Sequence, residues 1–270
     1  TNATGWIAGD SFSVSATGLF DTKNVGTNKT VTLTSSYSGD DKGNYTISDQ
    51  ATTTANITAK PITIAGITAA DKVYDAKTNA TTDATNATGW IAGDSFSVSA
   101  TGLFDTKNVG TNKTVTLTSS YSGDDKGNYT ISDQATTTAN ITAKPITIAG
   151  ITAADKVYDA KTNATTDVTN ATGWIAGDSF SVSATGLFDT KNVGTNKTVT
   201  LTSSYSGDDK GNYTISDQAT TTANITAKPI TIAGITASDK VYDAKTNATT
   251  DVTNATGWIA GDSFSVSATG

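Results

Sequence analysis

The segment Thr1-Asn2-Ala3-Thr4-Gly5-Trp6 recurs at Thr85, Thr169 and Thr253, so the chain is a tandem array with a period of 84 residues. Repetition at this period constrains the fold more than total length does. Each copy is one supersecondary unit, and a domain count taken from 270 residues alone would mislead. Three full periods and 18 further residues are present, and only two positions vary between copies: Ala70 and Ala154 become Ser238, and Ala84 becomes Val168 and Val252. Near-identity of this kind reports recent duplication.

Within a period the apolar residues alternate in short runs. Phe12 and Val14, Val31 and Leu33, and Tyr45 and Ile47 each mark a half-buried strand, and no stretch keeps a helical period. Ala16-Thr17-Gly18, Val25-Gly26-Thr27-Asn28 and Ser38-Gly39-Asp40-Asp41-Lys42-Gly43-Asn44 read as the turns between them. Threonine fills 18 of 84 positions, as suits an extended backbone with a wet outer face. The expected fold is all-β: tandem small β-sandwich modules of about seven short antiparallel strands, arranged head to tail as an extended rod. A β-grasp-like module or an irregular β-solenoid is the alternative.

The module boundary is placed at Lys60-Pro61. Ile57 and Ala59 share one face of the extended segment, whereas Ile62 and Ile64 fall on the opposite parity, so the side chains feed a different core. The divisions are then 1–60 (incomplete), 61–144, 145–228 and 229–270 (incomplete). Proline stiffens the junction, and no Gly/Ser tract provides a swivel. A second parity break, from Ile64 to Ile67 across Ala65-Gly66, predicts a bulge or bend, repeated at Gly150 and Gly234.

The ionisable side chains are Asp, Lys and Tyr; Glu, Arg, His and Cys are absent, and the net charge is -7. An acidic chain without arginine disfavours nucleic acid and anionic membrane surfaces as partners. No apolar run approaches the roughly 20 residues of a bilayer-crossing helix, and Thr1 to Asp10 lack the blocks of a signal peptide, so direct membrane insertion by this segment is not expected. Missing His, Cys and Glu remove the usual acid–base and nucleophilic groups; the expectation is no enzyme, no catalytic, cofactor-binding or metal residues, and no cofactor.

Ala70-Asp71-Lys72-Val73-Tyr74-Asp75, Gly9-Asp10, Lys23-Asn24-Val25-Gly26 and Gly43-Asn44-Tyr45-Thr46 together resemble the YDG-type and related MBG-type repeats of large bacterial surface adhesins. The resemblance spans essentially the whole period. It implies stalk repeats of filamentous-haemagglutinin-like and biofilm adhesins, exported to the bacterial cell surface. One departure is that the glycine expected after Tyr-Asp is Ala76, Ala160 or Ala244, so this turn should not need a glycine-only conformation.

Several residues invite a site, each beside a plainer reading. Gly39-Asp40-Asp41-Lys42-Gly43-Asn44 could offer calcium ligands, but the lysine within the cluster favours a solvated turn. Asn2, Asn28, Asn44, Asn56 and Asn79 begin Asn-x-Thr sequons, which a threonine-rich chain also produces by chance. Trp6 is a core or inter-module ring rather than a sugar platform, and Tyr74 a core ring whose hydroxyl finds a partner, with Asp75 capping a turn. Gln50, the sole glutamine of the period, is a candidate for an intramolecular crosslink. The partners expected are neighbouring modules, with two further readings: weak multivalent binding of host or matrix glycans, and other copies of the chain in a filament through incomplete sheet edges.

Overall fold

A computed structural model describes residues 3–270, so Asn2 and its sequon lie outside the described residues. The chain is all-β with tandem modules, and among the described residues the only helical turns are short 3-10 segments such as Lys210–Asn212. It divides into two units: one holds the residues up to Lys72 with Lys77–Ile141, the other Val73–Ala76 with Thr142–Gly270.

The second unit contains a full repeat. Its centre is the hairpin of Ser181–Phe188 and Gly194–Ser206, paired in register from Ser181 opposite Ser206 to Phe188 opposite Val199. β-Branched residues and alternation make these strands: Val199 and Leu201 are buried while Thr200 and Thr202 face water. The strand Thr220–Thr226 pairs antiparallel with Gly194–Ser206 on its other side, and short strands Lys156–Val157 and Asn163–Ala164 close the two edges of this five-stranded sheet. The first unit repeats the central order, Thr136–Thr142, Gly110–Ser122, Ser97–Phe104 and Asn79–Ala80.

The repeat opens with Lys144–Thr147, which pairs in parallel with Tyr213–Ser216: Lys144 opposite Tyr213, Ile146 opposite Ile215. The contact continues far beyond that strand. Ile148 N donates to Ser216 O, Gln218 Oε1 accepts from Ile151 N while Gln218 Nε2 donates to Ile151 O, and Lys156–Val157 pairs in parallel with Ile225 and Thr226. Two long segments near the ends of the repeat thus run side by side in the same direction. In the first unit Lys60–Thr63 pairs in parallel with Tyr129–Ser132, and Gln134 grips Ile67 in the same way.

Identical sequence without the opposite segment behaves differently. Tyr45–Ser48 forms no strand, although its copy Tyr129–Ser132 does, and residues 228–231 form none where Lys144–Thr147 does. Ile230 is 39% exposed against 6% for Ile146. The strand is therefore a product of the parallel pairing, not of local propensity.

Several expectations need correction. A complete repeat has nine strands instead of about seven, because short two-residue strands such as Thr152–Ala153 and Thr166–Asp167 are added, and the pairing is mixed rather than antiparallel throughout. Ala16-Thr17-Gly18 is not a turn but lies inside Ser13–Phe20. The glycine serves close packing: a Cβ on its copy Gly186 would sit 2.8 Å from Val199 Cγ1 and 3.0 Å from Thr166 Cγ2. Val25-Gly26-Thr27-Asn28 is likewise no turn; the strand starts at Gly26, and Asn28, at φ 50, sits in a register shift between Gly26 and Lys29 that makes a bulge. Ala76, Ala160 and Ala244 take a left-handed backbone, φ 62, 61 and 60, a conformation that glycine favours but that an alanine can adopt at a cost, so the turn does not need a glycine-only conformation.

The parity break at Ala65-Gly66 is a bend. Gly150, at φ 86, turns the chain so that Ile148 and Ile151 both reach the core, each 1% exposed. A Cβ there would also meet Asn170 O at 2.2 Å.

Two substitutions should move stability in opposite directions. Gly186→Ala overpacks the sheet and should cost about 1–3 kcal/mol. Ala160→Gly relieves a left-handed alanine worth about 1–2 kcal/mol, against about 0.5–1 kcal/mol of glycine flexibility, so a gain of up to about 1.5 kcal/mol should appear in denaturant unfolding. A destabilised Ala160→Gly chain would contradict the strained turn.

Candidate functional site at the junction between repeats

The motifs quoted for the resemblance converge where one repeat meets the next. In the first unit Lys23 Nζ lies 2.9 Å from both Asp94 Oδ1 and Asp125 Oδ1. Beside it Val25 N donates to Asn128 Oδ1 at 2.9 Å, and Asn128 Nδ2 donates to Asn24 Oδ1 at 3.1 Å. The loop Lys23-Asn24-Val25 of one copy is thereby fitted to Asp94, Asp125 and Asn128 of the next.

Local structure places each acceptor. Asp125 enters the 3-10 turn Lys126–Asn128, and its Oδ2 accepts from Ser95 N at 2.8 Å, which fixes the carboxylate although it is buried. Asp94 accepts from the Tyr129 hydroxyl. Those hydrogen bonds leave one oxygen of each carboxylate aimed at the ammonium group.

The second unit shows the rest of the junction. Tyr74, 1% exposed, donates its hydroxyl to Asp178 Oδ2 at 2.7 Å and stacks edge-on against Tyr213 with ring centroids 5.4 Å apart. Asp178 also accepts from the Tyr213 hydroxyl. At the following junction Tyr158 OH and Lys191 Nζ both reach Asp262 Oδ1, at 2.6 and 2.7 Å. Tyr242, which has the same local sequence but no such aspartate partner among the described residues, is 90% exposed.

Charge and burial set the ionisation of these groups. Asp94 is held below the ordinary carboxylate value by the Tyr129 hydrogen bond and then by Lys23; Asp125 is lowered first by Lys23 and then by Ser95 N–H. Asp262 is lowered by Lys191 and Tyr158, and Lys23 is raised by Asp125 and Asp94. Burial, with the Asp178 hydrogen bond, pushes the Tyr213 hydroxyl up to about 12.

The other candidate residues fall as follows. The Asp-rich turn meets a lysine from the preceding copy, and among the described residues no three Asp, Glu, His or Cys side chains converge to hold a metal ion. Trp174 is half-buried and stacked on Phe180 at 4.9 Å, within an aromatic cluster that continues to Tyr205 and Tyr213. Asp159, the copy of Asp75, caps the turn by accepting from Lys161 N. Of the sequon asparagines, Asn140 spends its amide on Asn112 N and Asp71, and Asn128 sits in the junction; Asn112 lies exposed at φ 49. A surface depression of about 320 Å³ is lined by Thr82, Asp83, Ala84, Val98 and Ser99, with Asp83 the single ionisable group in its lining.

Sequence reading missed the roles of Lys23, Asn24, Asp94, Asp125 and Gln134. The signal present was that Lys23, Asn24 and the copy of Asp94 stand in the very motifs that carried the resemblance, while the copy of Asp125, Asp41, stands in the Asp-rich turn.

The junction makes stability depend on pH at both extremes. Depressed carboxylates stabilise the fold above their unfolded value of 3.8, and that contribution is lost as pH falls through their lower folded values. Raised Tyr213 contributes fully below 10 and loses its contribution as pH rises towards about 12. The thermal midpoint should therefore fall below pH 4 and above pH 10. Lys23→Gln with Lys191→Gln should flatten the acid limb; an unaltered limb would mean the lysines do not hold these carboxylates.

Among known families, the YDG domain matches residues 1–55, 58–139, 142–223 and 226–270. No curated protein matches the chain. Among solved structures, the Drosophila N-cadherin EC1-3 crystal structure is aligned over 74% of this chain and 77% of that chain, at 8% identity and a TM-score of 0.20, too low to carry a fold argument. Four consecutive matches cover nearly every residue, and the chain belongs to the YDG domain family.

Proposed function

We propose that these repeats are the structural stalk of an extracellular bacterial adhesin or fibre, a non-catalytic spacer that holds a binding region away from the cell surface. The observation that supports this reading most is the junction: polar and charged groups of one copy are used up on the next, by Lys23 on Asp94 and Asp125 and by Tyr74 on Asp178. A linkage built from short hydrogen bonds, repeated at each boundary and lacking any flexible linker, suits a spacer whose reach is set by copy number. The modules take the divisions 61–144 and 145–228, with incomplete modules at 1–60 and 229–270. Alternating lysine and aspartate with net negative charge keeps such an array soluble.

Small-angle scattering on chains of two, three and four repeats tests the reading. The maximum dimension should grow by a constant step on the order of 35 Å per repeat, with a rod-like cross-section. A dimension that grows with the cube root of length would mean a compact particle and end the spacer reading.

A further inference from the structure

The pairing of the two outer segments of each repeat has a mechanical consequence. From Lys144 to Tyr158 one segment runs beside Tyr213 to Thr226 in the same direction, tied at Lys144–Tyr213, Ile146–Ile215, Ile151–Gln218, Asp155–Asn224 and Lys156–Ile225. The chain enters at one end of this ladder, at Lys144, and leaves from the other, at Thr226. Tension applied through the chain ends therefore pulls the two segments past each other along their own axes. Every bond of the ladder is loaded together.

We propose that each repeat is a shear-loaded clamp whose further function, resting on the stalk reading, is to carry tensile force without unfolding. A ladder loaded in shear must break many bonds in one step, whereas one peeled from its end breaks them singly, so the barrier along the first direction is much higher; forced unfolding is governed by that barrier. Gln218 and its copy Gln134 are the locking residues. Their amides both donate to and accept from the backbone of Ile151 and Ile67, bridging the ladder where the bends at Gly150 and Gly66 interrupt regular pairing. The same segment shows its dependence on this partner directly, since residues 228–231 form no strand without it.

Single-molecule force spectroscopy on the whole chain tests the clamp by comparing two directions. Pulled through its ends, the chain should show two equal high-force events, one per complete repeat. Cysteine handles introduced by Ser181→Cys and Ser206→Cys, opposite each other at the open end of the hairpin in a chain with no native cysteine, should unzip that repeat at a several-fold lower force. In the Gln134→Ala, Gln218→Ala chain the end-to-end force should fall while the hairpin force stays constant. Equal forces in the two directions, or an equal loss in both for the glutamine variant, would overturn the clamp. Scattering that reveals a compact chain would remove the stalk reading and leave the directional forces unaffected, so the two can fail separately.

Discussion

The parallel pairing between the segment that follows Lys60-Pro61 and the segment some 70 residues later is the contact on which the repeat depends. It brings Ile62, Ile64 and Ile67 into the core, and where it is missing their copies lose burial: Ile235, the copy of Ile67, is 41% exposed against 1%. Such a contact is non-local, so its closure entropy must be met before any of the isoleucine burial is gained. The sheet built on the hairpin is local by comparison. This explains why the hairpin persists in every copy where it is complete, including Ser13–Phe20 with Gly26–Ser38, whereas the strands Lys60–Thr63 and Tyr129–Ser132, like Lys144–Thr147 and Tyr213–Ser216, appear only as parallel pairs.

The junction follows from a restricted set of side chains. Without arginine or histidine, a lysine is the only cation available, and a single ammonium group satisfies two carboxylates at once when each carboxylate is already anchored by its own repeat. The anchoring matters because exposed ion pairs are individually weak and gain mainly from geometry fixed beforehand. Tyr74 adds the apolar part: its ring lies on Tyr213 and its hydroxyl on Asp178, so one residue supplies burial and direction together. Val73–Ala76, which carries that tyrosine, belongs by its contacts with the second unit although the sequence places it early in the preceding repeat.

Alternation made the central strands legible, since Val31 and the copies Val115, Leu117, Val199 and Leu201 are buried where period-two reading puts them, and the parity break at Gly66 is a true bend. Glycine misled twice because it has two uses. Gly18 looks like a turn residue but admits Val31 and its cross-sheet neighbours, and Gly26 starts a strand. The parallel ladder was invisible because pairing over some 70 residues leaves no local periodicity. Tyr74 could be read as a core ring with a bonded hydroxyl, yet its partner stands in another copy, and tandem repetition makes intra- and inter-repeat partners indistinguishable in sequence. The left-handed alanines show a further limit: a backbone conformation imposed by surrounding contacts survives the loss of the residue that would suit it best.

Near-identity of the copies raises a problem of register that the fold must solve. Lys60–Thr63 finds its partner in Tyr129–Ser132, but Tyr213–Ser216 offers the same four residues about twice as far along the chain. Doubling the loop adds only about 0.6 kcal/mol of closure entropy, too little to specify one partner. The remaining selectivity comes from contacts that close in concert with the ladder: Gln134 on Ile67 and Asp71 on Asn140 require the same pair of segments to be aligned over their whole length, with the intervening hairpin folded between them. A misplaced strand would leave a complete hairpin unaccommodated inside its loop. Correct register is thus set by the cooperative unit as a whole, which is why the polar ties along the ladder are distributed from its first strand to its last.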